Sequence, residues 1–524
     1  MNIDKDLLST QEVRLLCQKA KEAQLEFKHF NQAQVDAVVN AMVIAGFNEA
    51  ERLAKLAVEE TGFGKVEDKK TKNTFATKSV WESIKDLKTV GIIDVQKNGK
   101  IVKIAEPMGV VAALIPSTNP TSTVMFKAII SLKSRNAVVA SPHPKALQCT
   151  LEAVKVIKEA AIKAGAPEGL IQCMSIPTLE GTDALMKDPN IAVILATGSN
   201  AMVKAAYSSG KPAYGVGAGN VPAFIERTAN VVKAVSDIVT GKTFDNGTLC
   251  SSEQAMIVDR PIKEKVIEEA KKLGCYFCNE SEKKQLEQYV MKGGKLNAEI
   301  VGKSAKWIAE FAGFKVPEST KILVAECNKV GKEELLSAEK LSPILAFYTV
   351  DGWLDGCHKC IDLLNFGGIG HTMVIHSNDN DVIMKFATEK PAFRILVNTP
   401  SSLGAVGYTT GLMPSLTLGC GTWGGSIVSE NVTAEHLLNI KTLAFEMNPI
   451  NNGKSVTSLE NTKSGFIVGG NSQFMEQIED RLRARAGNPR SDFNPKSNNV
   501  KNNETLGSGI SLDEVNKIIN GFKF

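Results

Sequence analysis

The chain has 524 residues, too many for one compact core at ~100–200 residues per domain, so two or three domains are expected. Its 61 basic and 57 acidic residues leave a formal charge of +4 without a dominant basic block, which excludes an electrostatic footprint for nucleic acid or an anionic membrane surface. The amino terminus, MNIDKDLLSTQEVRLL, lacks a secretory pattern and no apolar run approaches ~20 residues, so a soluble intracellular chain is expected, with a small-molecule partner and 10 mostly reduced cysteines.

Residues 4 to about 90 repeat apolar positions every three or four residues, as in VRLLCQKAKEAQLEF and AERLAKLAVEETG, and read as a helical lead-in. From 91 to 107, GIIDVQKNGKIVKIAEP alternates about Asn98-Gly99, a strong hairpin signal and an element suited to subunit contact. From 109 short apolar strands alternate with helices: GVVAALIP, TVMFKAIISLKS, AVVAS, a helix at 145–164, GLIQCMSI, ALMKD, IAVILATGS, AMVKAAYSSG and KPAYGVG. This rhythm predicts βαβ units and a parallel sheet covered on both faces, a doubly wound α/β domain. A second α/β stretch runs from about 222 to 416, holds Cys250, and closes on the glycine-rich PSLTLGCGTWGG. Beyond about 447 the composition turns polar, and GNPRSDFNPKSNNVKNNETLGSG at 487–509 reads as a flexible linker that cannot offset its own ordering entropy. The final segment, ISLDEVNKIINGFKF at 510–524, pairs Ser511 with Glu514 as a capping box and lines up Leu512, Val515, Ile518, Ile519 and Phe522. It reads as a tethered amphipathic helix that either docks back on its own domain or, favoured by the long polar tether, enters a groove on another protein.

Two C-x-x-C pairs, Cys275/Cys278 and Cys357/Cys360, imitate metal knuckles, but about eighty residues separate them and zinc ribbons use closer spacing. CYFC reads as a short strand and CHKCIDLLNF as helix, so no metal site is expected. Gly419 to Gly424 matches G-x-G-x-x-G, yet GSIVSENV follows where a helix is required, which leaves a glycine-rich loop near an active site. In IAVILATGSNAMVKAA a strand ends in Thr197-Gly198-Ser199 and runs straight into a helix, so backbone N–H groups would face a phosphate.

The stretch FDNGTLCSSEQ presents Cys250 after an Asn246-Gly247 turn, where neighbouring dipoles would favour the nucleophilic thiolate. LIPSTNPTST ends a strand in a turn bearing Asn119, whose side-chain amide can donate to an oxyanion. EKLSPILAFY offers Glu339, and GGIGHTMVIHS offers His371 on a glycine-rich turn.

With these residues in view, the chain resembles the aldehyde dehydrogenase superfamily and, within it, the CoA-acylating aldehyde dehydrogenases. IPSTNPTST, ATGSNAMVKAAYSSGKPAYGVGAGNVP, FDNGTLCSSEQ, EKLSPILA, GIGHT and PSLTLGCGTWGGSIVSENV with HLLNIKTLA occur in the family's order over about residues 10 to 445. The likeness is strongest to the aldehyde dehydrogenase half of bifunctional aldehyde-alcohol dehydrogenases; the iron-dependent half is not expected in the polar tail. The resemblance implies an α/β aldehyde dehydrogenase-like fold. Residues 1–90 and 108–221 would form the NAD-binding domain and 222–416 the catalytic domain, with 91–107 and about 417–470 as oligomerisation elements. It implies Cys250 as nucleophile, Asn119 with the Cys250 backbone N–H as oxyanion hole, and Glu339 at the nicotinamide ribose. Thr197, Gly198 and Ser199 would lie at the cofactor phosphates, with Pro116, Ser141 and Gly217 completing the cofactor set.

Hydrolytic relatives carry a water-activating glutamate 34 positions before the cysteine, and here Val216 stands there. The lysine and glutamate that relatives place around the adenosine ribose fall at Ser141 and Pro144, which leaves NAD as the default over NADP. The expected reaction is therefore CoA-acylating oxidation of a short-chain aldehyde, propionaldehyde or acetaldehyde, to acyl-CoA with NAD reduction. A non-acylating dehydrogenase forming the free acid is the alternative. His371, with an ordinary pKa near neutrality, is expected to handle the proton of the CoA thiol. The tail resembles the encapsulation peptides that carry enzymes into bacterial microcompartments, implying a shell-protein partner, a cytoplasmic chain in a microcompartment lumen, and a homodimer or homotetramer.

Overall fold

A computed structural model of the protein describes residues 4–450 other than 294 and 449. The expected linker at 487–509 and amphipathic helix at 510–524 lie outside the described residues, as does the part of the 417–470 element beyond 450. Among the described residues no helix is long and apolar enough to cross a membrane.

The lead-in folds as helices Lys5–Phe27, Gln32–Asn48, Ala50–Thr61 and Val66–Thr74. Asn31 closes a capping box with Gln34 at the second of these, satisfying donors that the first turn leaves orphaned. The fourth passes through a single π-helical turn, Phe75–Ser79, into Val80–Ile84. There Thr77 donates to the Asn73 and Thr74 carbonyls, a side chain inserted into the ladder of the kind that widens a turn.

Strands β1 (Gly91–Gln96) and β2 (Ile101–Pro107) form the expected hairpin. Lys100 N–H donates to the Lys97 carbonyl at 3.1 Å, and Asn98 and Gly99 have φ of 50° and 80°. Lys97 is also left-handed, at 53°, so three successive positive-φ residues carry the turn between the strands.

Five strands follow in alternation with helices: β3 (Val110–Ile115), β4 (Ala137–Pro142), β5 (Ile171–Cys173), β6 (Ile191–Thr197) and β7 (Ala213–Val216). They pair in parallel in the order β5-β4-β3-β6-β7, so the chain reverses direction across the sheet between β3 and β6. The helix Pro120–Lys133 between β3 and β4 is buried along its whole length. That explains why its sequence is apolar all round rather than striped.

The second sheet contains β8 (Val221–Ile225), β9 (Glu253–Asp259) and β10 (Cys275–Phe277); a small ladder of β11 (Met291–Lys292) with β12 (Lys295–Leu296) interrupts the run. Then β13 (Ile322–Glu326), β14 (Ile344–Val350), β15 (Gly370–His376) and β16 (Ala392–Val397) complete seven parallel strands in the order β10-β13-β14-β9-β8-β15-β16. Each central strand feeds two cores by period-two alternation. Ala255 and Ile257 join one apolar cluster with Leu323, Ile344 and Ile375, while Met256 and Val258 join another with Val324, Leu345 and Val374. The C-x-x-C pairs are part of this packing: Cys275 opens β10, and Cys357 and Cys360 lie buried on helix Gly352–Phe366. No group of three metal-ligating side chains occurs among the described residues.

Last, β17 (Leu438–Ala444) pairs antiparallel with β2, extending the hairpin into the three-stranded sheet β1-β2-β17. Leu438 is buried, whereas Ile440 and Leu443 are 46% and 44% exposed.

Candidate active site

The residues expected at a cofactor meet along one edge. Ser141 pairs with Leu114, Ala196 pairs with Leu114 from the other side, and Thr197 pairs with Val216, so Pro116, Ser141, Thr197 and Gly217 stand at the carboxyl ends of β3, β4, β6 and β7. A doubly wound sheet binds ligands at that edge, near the point where the strand order reverses. Ser199 caps helix Asn200–Tyr207 by accepting from the Met202 N–H at 3.3 Å. Gly198 precedes the cap, and the Thr197 hydroxyl oxygen is buried without a partner among the described residues. A cavity of about 470 Å³ opens here, lined by Asn200, Lys204, Gly217, Gly368 and Trp423. Of the residues expected at a cofactor, Gly217 alone lines it; its size suits a cofactor-scale ligand, and Lys204 supplies a cation that fits a phosphate group. Ser141 is spent elsewhere: it is buried and shares a 2.9 Å hydrogen bond with Thr182.

The turn carrying Cys250 is tightly wound. Asp245, Asn246 and Gly247 have φ of 48°, 52° and 71°, three left-handed residues in succession between helix Val231–Thr243 and the cysteine. A side chain at Gly247 would press on the Lys242 and Ser342 carbonyls at 3.1 Å each. Asp245 holds this conformation: its carboxylate accepts from Lys65 N–H at 2.8 Å, Lys69 Nζ at 3.0 Å and Lys72 Nζ at 2.5 Å. Those charges keep its carboxyl below the usual range, although burial works against them.

Cys250 is half-buried and lies in the apolar cluster that contains Val216. Gly219 packs on it so closely that a Cβ there would sit 2.1 Å from the Cys250 carbonyl oxygen and 3.3 Å from the His371 ring. The same residue's N–H donates to Glu339 Oε1 at 3.0 Å. One glycine thus gathers the cysteine, the histidine and the glutamate. Asn119, half-buried, ends the turn before helix Pro120–Lys133; its carbonyl Oδ1 accepts from Lys72 Nζ and its Nδ2 donates to Thr118 Oγ1 at 3.1 Å.

Two expected titrations differ in the folded protein. Burial, with the charges of Glu339 and Cys420, pushes the Cys250 thiol up to about 12, and only Arg394 among its charged neighbours favours the thiolate. His371 is fully buried, and burial with the nearby Arg394 pushes it down to about 3, so a near-neutral titration does not occur. Its Nδ1 meets Thr372 Oγ1 at 2.9 Å, and its Nε2 has no partner among the described residues. Burial likewise raises Glu339 to about 8, a protonated acid at neutral pH.

Several neighbours escaped the sequence reading. Lys69 and Lys72 sit in VEDKKTKNT, whose charge reads as a solvated face. Arg394 is buried on β16, donating to the Gly419 and Ser429 carbonyls. Its signal was available, since period two places it on the inward face with Ala392 and Leu396. The glycine-rich loop it braces puts Cys420, Trp423 and Gly424 on the cavity wall, and no α-helix follows them among the described residues.

Fold and site together define an α/β protein with a dinucleotide-type strand edge and a half-buried, glycine-cradled cysteine. The chain belongs to the aldehyde dehydrogenase family, whose family model matches residues 5–424. It is 47% identical over 460 residues to aldehyde-alcohol dehydrogenase 2 of Entamoeba histolytica, covering 86% of this chain and 53% of that one. The chain therefore spans about half the length of the aldehyde-alcohol dehydrogenases it matches. Among solved structures, an acetylating aldehyde dehydrogenase from Geobacillus thermoglucosidasius superposes with a TM-score of 0.85 at 53% identity, covering 86% of this chain and 100% of that one. A propionaldehyde dehydrogenase from the Clostridium phytofermentans fucose utilisation microcompartment gives 0.74 at 30% identity, with 82% and 96% covered. That of Rhodopseudomonas palustris, solved with bound CoA and an acylated cysteine, gives 0.74 at 31% identity, with 83% and 97% covered.

Proposed function

We propose that the protein is a CoA-acylating aldehyde dehydrogenase that oxidises a short-chain aldehyde, propionaldehyde or acetaldehyde, to acyl-CoA with reduction of NAD. The observation that carries this reading is Val216, 2% exposed in the apolar cluster against which Cys250 packs, where a hydrolytic relative carries its water-activating glutamate. Glu339, the carboxyl group beside the thiol, is protonated at neutral pH and is a poor base for water. The relatives with acetylating names and the neighbour bearing CoA and an acylated cysteine support the same acceptor.

In this mechanism the Cys250 thiol gives up its proton to water, its sulfur bonds to the aldehyde carbon as the carbonyl π bond breaks, and the Asn119 side-chain N–H and the Cys250 backbone N–H hold the oxyanion. The carbonyl re-forms as the aldehyde hydrogen departs with its electron pair, leaving a thioester on Cys250. The nicotinamide dinucleotide, when bound, supplies the acceptor for that hydride. Thr197, Ser199 and Gly217 would hold its phosphates and Glu339 its nicotinamide ribose. The CoA sulfur then attacks the thioester, its bond to the acyl carbon forms as the Cys250 bond breaks, and the exchange between two thioesters is reversible. The CoA thiol proton leaves to water, and the neutral His371, with Nε2 free of other partners among the described residues, is assigned to accepting a hydrogen bond that orients the thiol.

The cavity of about 20 Å³ beside the cysteine turn, lined by Lys72, Phe75, Phe244, Leu249, Leu403 and Tyr408, is water-sized, and the need to widen it favours a short aldehyde. The exposed Val95, Ile440 and Leu443 on the β1-β2-β17 sheet support a homo-oligomer formed through that sheet. For the tail we propose docking to a microcompartment shell protein, on the strength of its capped amphipathic pattern and the microcompartment neighbour.

The test is NADH formation from propionaldehyde with and without CoA, repeated with NADP in place of NAD. CoA-dependent turnover that Cys250→Ala abolishes is expected. Full turnover without CoA would overturn the reading in favour of an enzyme that releases the free acid.

A further inference from the structure

Lys72 lies on helix Val66–Thr74, in neither strand edge nor cysteine turn, yet it touches both halves of the site. Its Nζ donates to Asn119 Oδ1 at 2.5 Å, to Asp245 Oδ2 at 2.5 Å and to Thr248 Oγ1 at 3.2 Å. An ammonium has three protons and no lone pair, so all its donors are used. Asp245 and Thr248 belong to the turn that ends in Cys250, five and two residues before it.

We infer that Lys72 is a positioning residue, whose ammonium fixes the Asn119 carboxamide with its carbonyl inward and its N–H outward and ties it to the turn bearing Cys250. The inference rests on the functional reading of Asn119 and Cys250 above. The chemistry is that of an amide flip. Rotating the Asn119 side chain by half a turn would set its NH₂ against an NH₃⁺ with no acceptor between them, so only one orientation is allowed. In that orientation one Nδ2 proton goes to Thr118 Oγ1 and the other is left for a developing oxyanion.

The surrounding cluster shows that this geometry is held from several directions. Lys69 Nζ donates to the Thr118 carbonyl at 2.8 Å and to Asp245 at 3.0 Å, and Thr121 Oγ1 donates to Asn73 Oδ1 at 2.8 Å. The helix therefore grips residues 118–121 at three side chains: Lys69, Lys72 and Asn73. Asp68 accepts from the Asp245 N–H at 2.8 Å, and the Phe244 ring lies 5.6 Å from the Lys72 ammonium. The Lys72 and Asp245 side chains are 4% and 0% exposed, so water cannot readily replace either partner.

The test is a double-mutant cycle between Lys72→Met and Asn119→Ala, read as kcat and as KM for the dinucleotide in CoA-dependent propionaldehyde oxidation. Removing one oxyanion donor typically costs ~10²–10³ in kcat, and a misdirected amide should forfeit roughly 10- to 100-fold of it. Lys72→Met is expected to lower kcat by about that factor with KM changed less than about twofold. In the Asn119→Ala background the same substitution should change kcat by less than about twofold, because no amide remains to be aimed. Equal losses in the two backgrounds, or a rise in KM with kcat unchanged, would overturn the inference. If Lys72→Met does not fold, Lys72→Gln runs the same cycle; it keeps a donor to Asp245 and should lose less kcat, again only when Asn119 is present. Failure of the unmodified protein to oxidise aldehyde is a separate result, which overturns the functional reading itself.

Discussion

Gly219→Ala is a small perturbation placed where the site has no room for it. The added Cβ would lie 2.1 Å from the Cys250 carbonyl oxygen and 3.1 Å from its carbon, backbone atoms that no rotamer change can move. A comfortable carbon–oxygen contact is about 3.2 Å, so one strand of the site must retreat by roughly 1 Å. Overpacking of this kind costs about 1–3 kcal/mol, a modest loss for a protein of this size. The catalytic effect should be larger, since a misplacement of about 1 Å near the reacting atoms costs on the order of 100-fold in rate. The Gly219 N–H bond to Glu339 shifts with it. The assay is kcat for CoA-dependent NADH formation from propionaldehyde, with the melting temperature measured on the same sample. A drop of about 100-fold in kcat alongside a shift of only a few degrees is expected. A kcat within about threefold of the unmodified protein would refute the close packing of Gly219 on the cysteine turn.

Other expectations follow from the same geometry. With the Cys250 thiol near 12, its thiolate fraction rises about tenfold per pH unit through the accessible range, so alkylation of the cofactor-free protein by iodoacetamide should keep climbing past pH 9. A plateau near pH 8 would show that the thiol is not raised. Glu253 is buried and pushed up to about 8, above its unfolded value, so its contribution to stability is present at low pH and lost as pH rises toward 8. Glu253→Gln removes that dependence, and the melting temperature of the variant relative to the parent should increase between pH 5 and pH 8; a constant difference would contradict it. Leu403→Ala enlarges the apolar cavity beside the cysteine turn and should shift preference toward C4 to C6 aldehydes by about fourfold per methylene, from about 0.8 kcal/mol per buried CH₂. An unchanged ranking of kcat/KM over that series would place the aldehyde elsewhere.

Local pattern made much of the architecture legible. Strand–helix alternation from 109 onward anticipated parallel sheets, and Asn98-Gly99 anticipated a hairpin whose turn has the left-handed φ those residues tolerate. The C-x-x-C pairs were readable as strand and helix because their flanks carry the period of each. Other features depended on contacts that no window of sequence contains. β17 joins β2 across more than 330 residues, and nothing in LNIKTLA names its partner. VEDKKTKNT reads as a solvated helix, yet Lys69 and Lys72 are buried because Asp245, some 175 residues later, neutralises them. The titrations of Cys250 and His371 depart from expectation for the same reason: a pKa is set by burial and neighbouring charge, and both come from distant elements.

The amino-acid sequence by itself determined the kinds of element, their order, and the identity of the groups able to do chemistry: a cysteine after an Asn-Gly turn and an amide after a strand. Those are properties of residue type and short-range backbone preference, which a chain carries before it folds. Only the tertiary structure decided which groups meet and in what protonation state. Gly219 brings Cys250, His371 and Glu339 together, and Lys72 links Asn119 to the cysteine turn. Such juxtapositions come from packing between elements far apart in sequence, and removal from water then moves each titrating group away from the value its residue type alone would give.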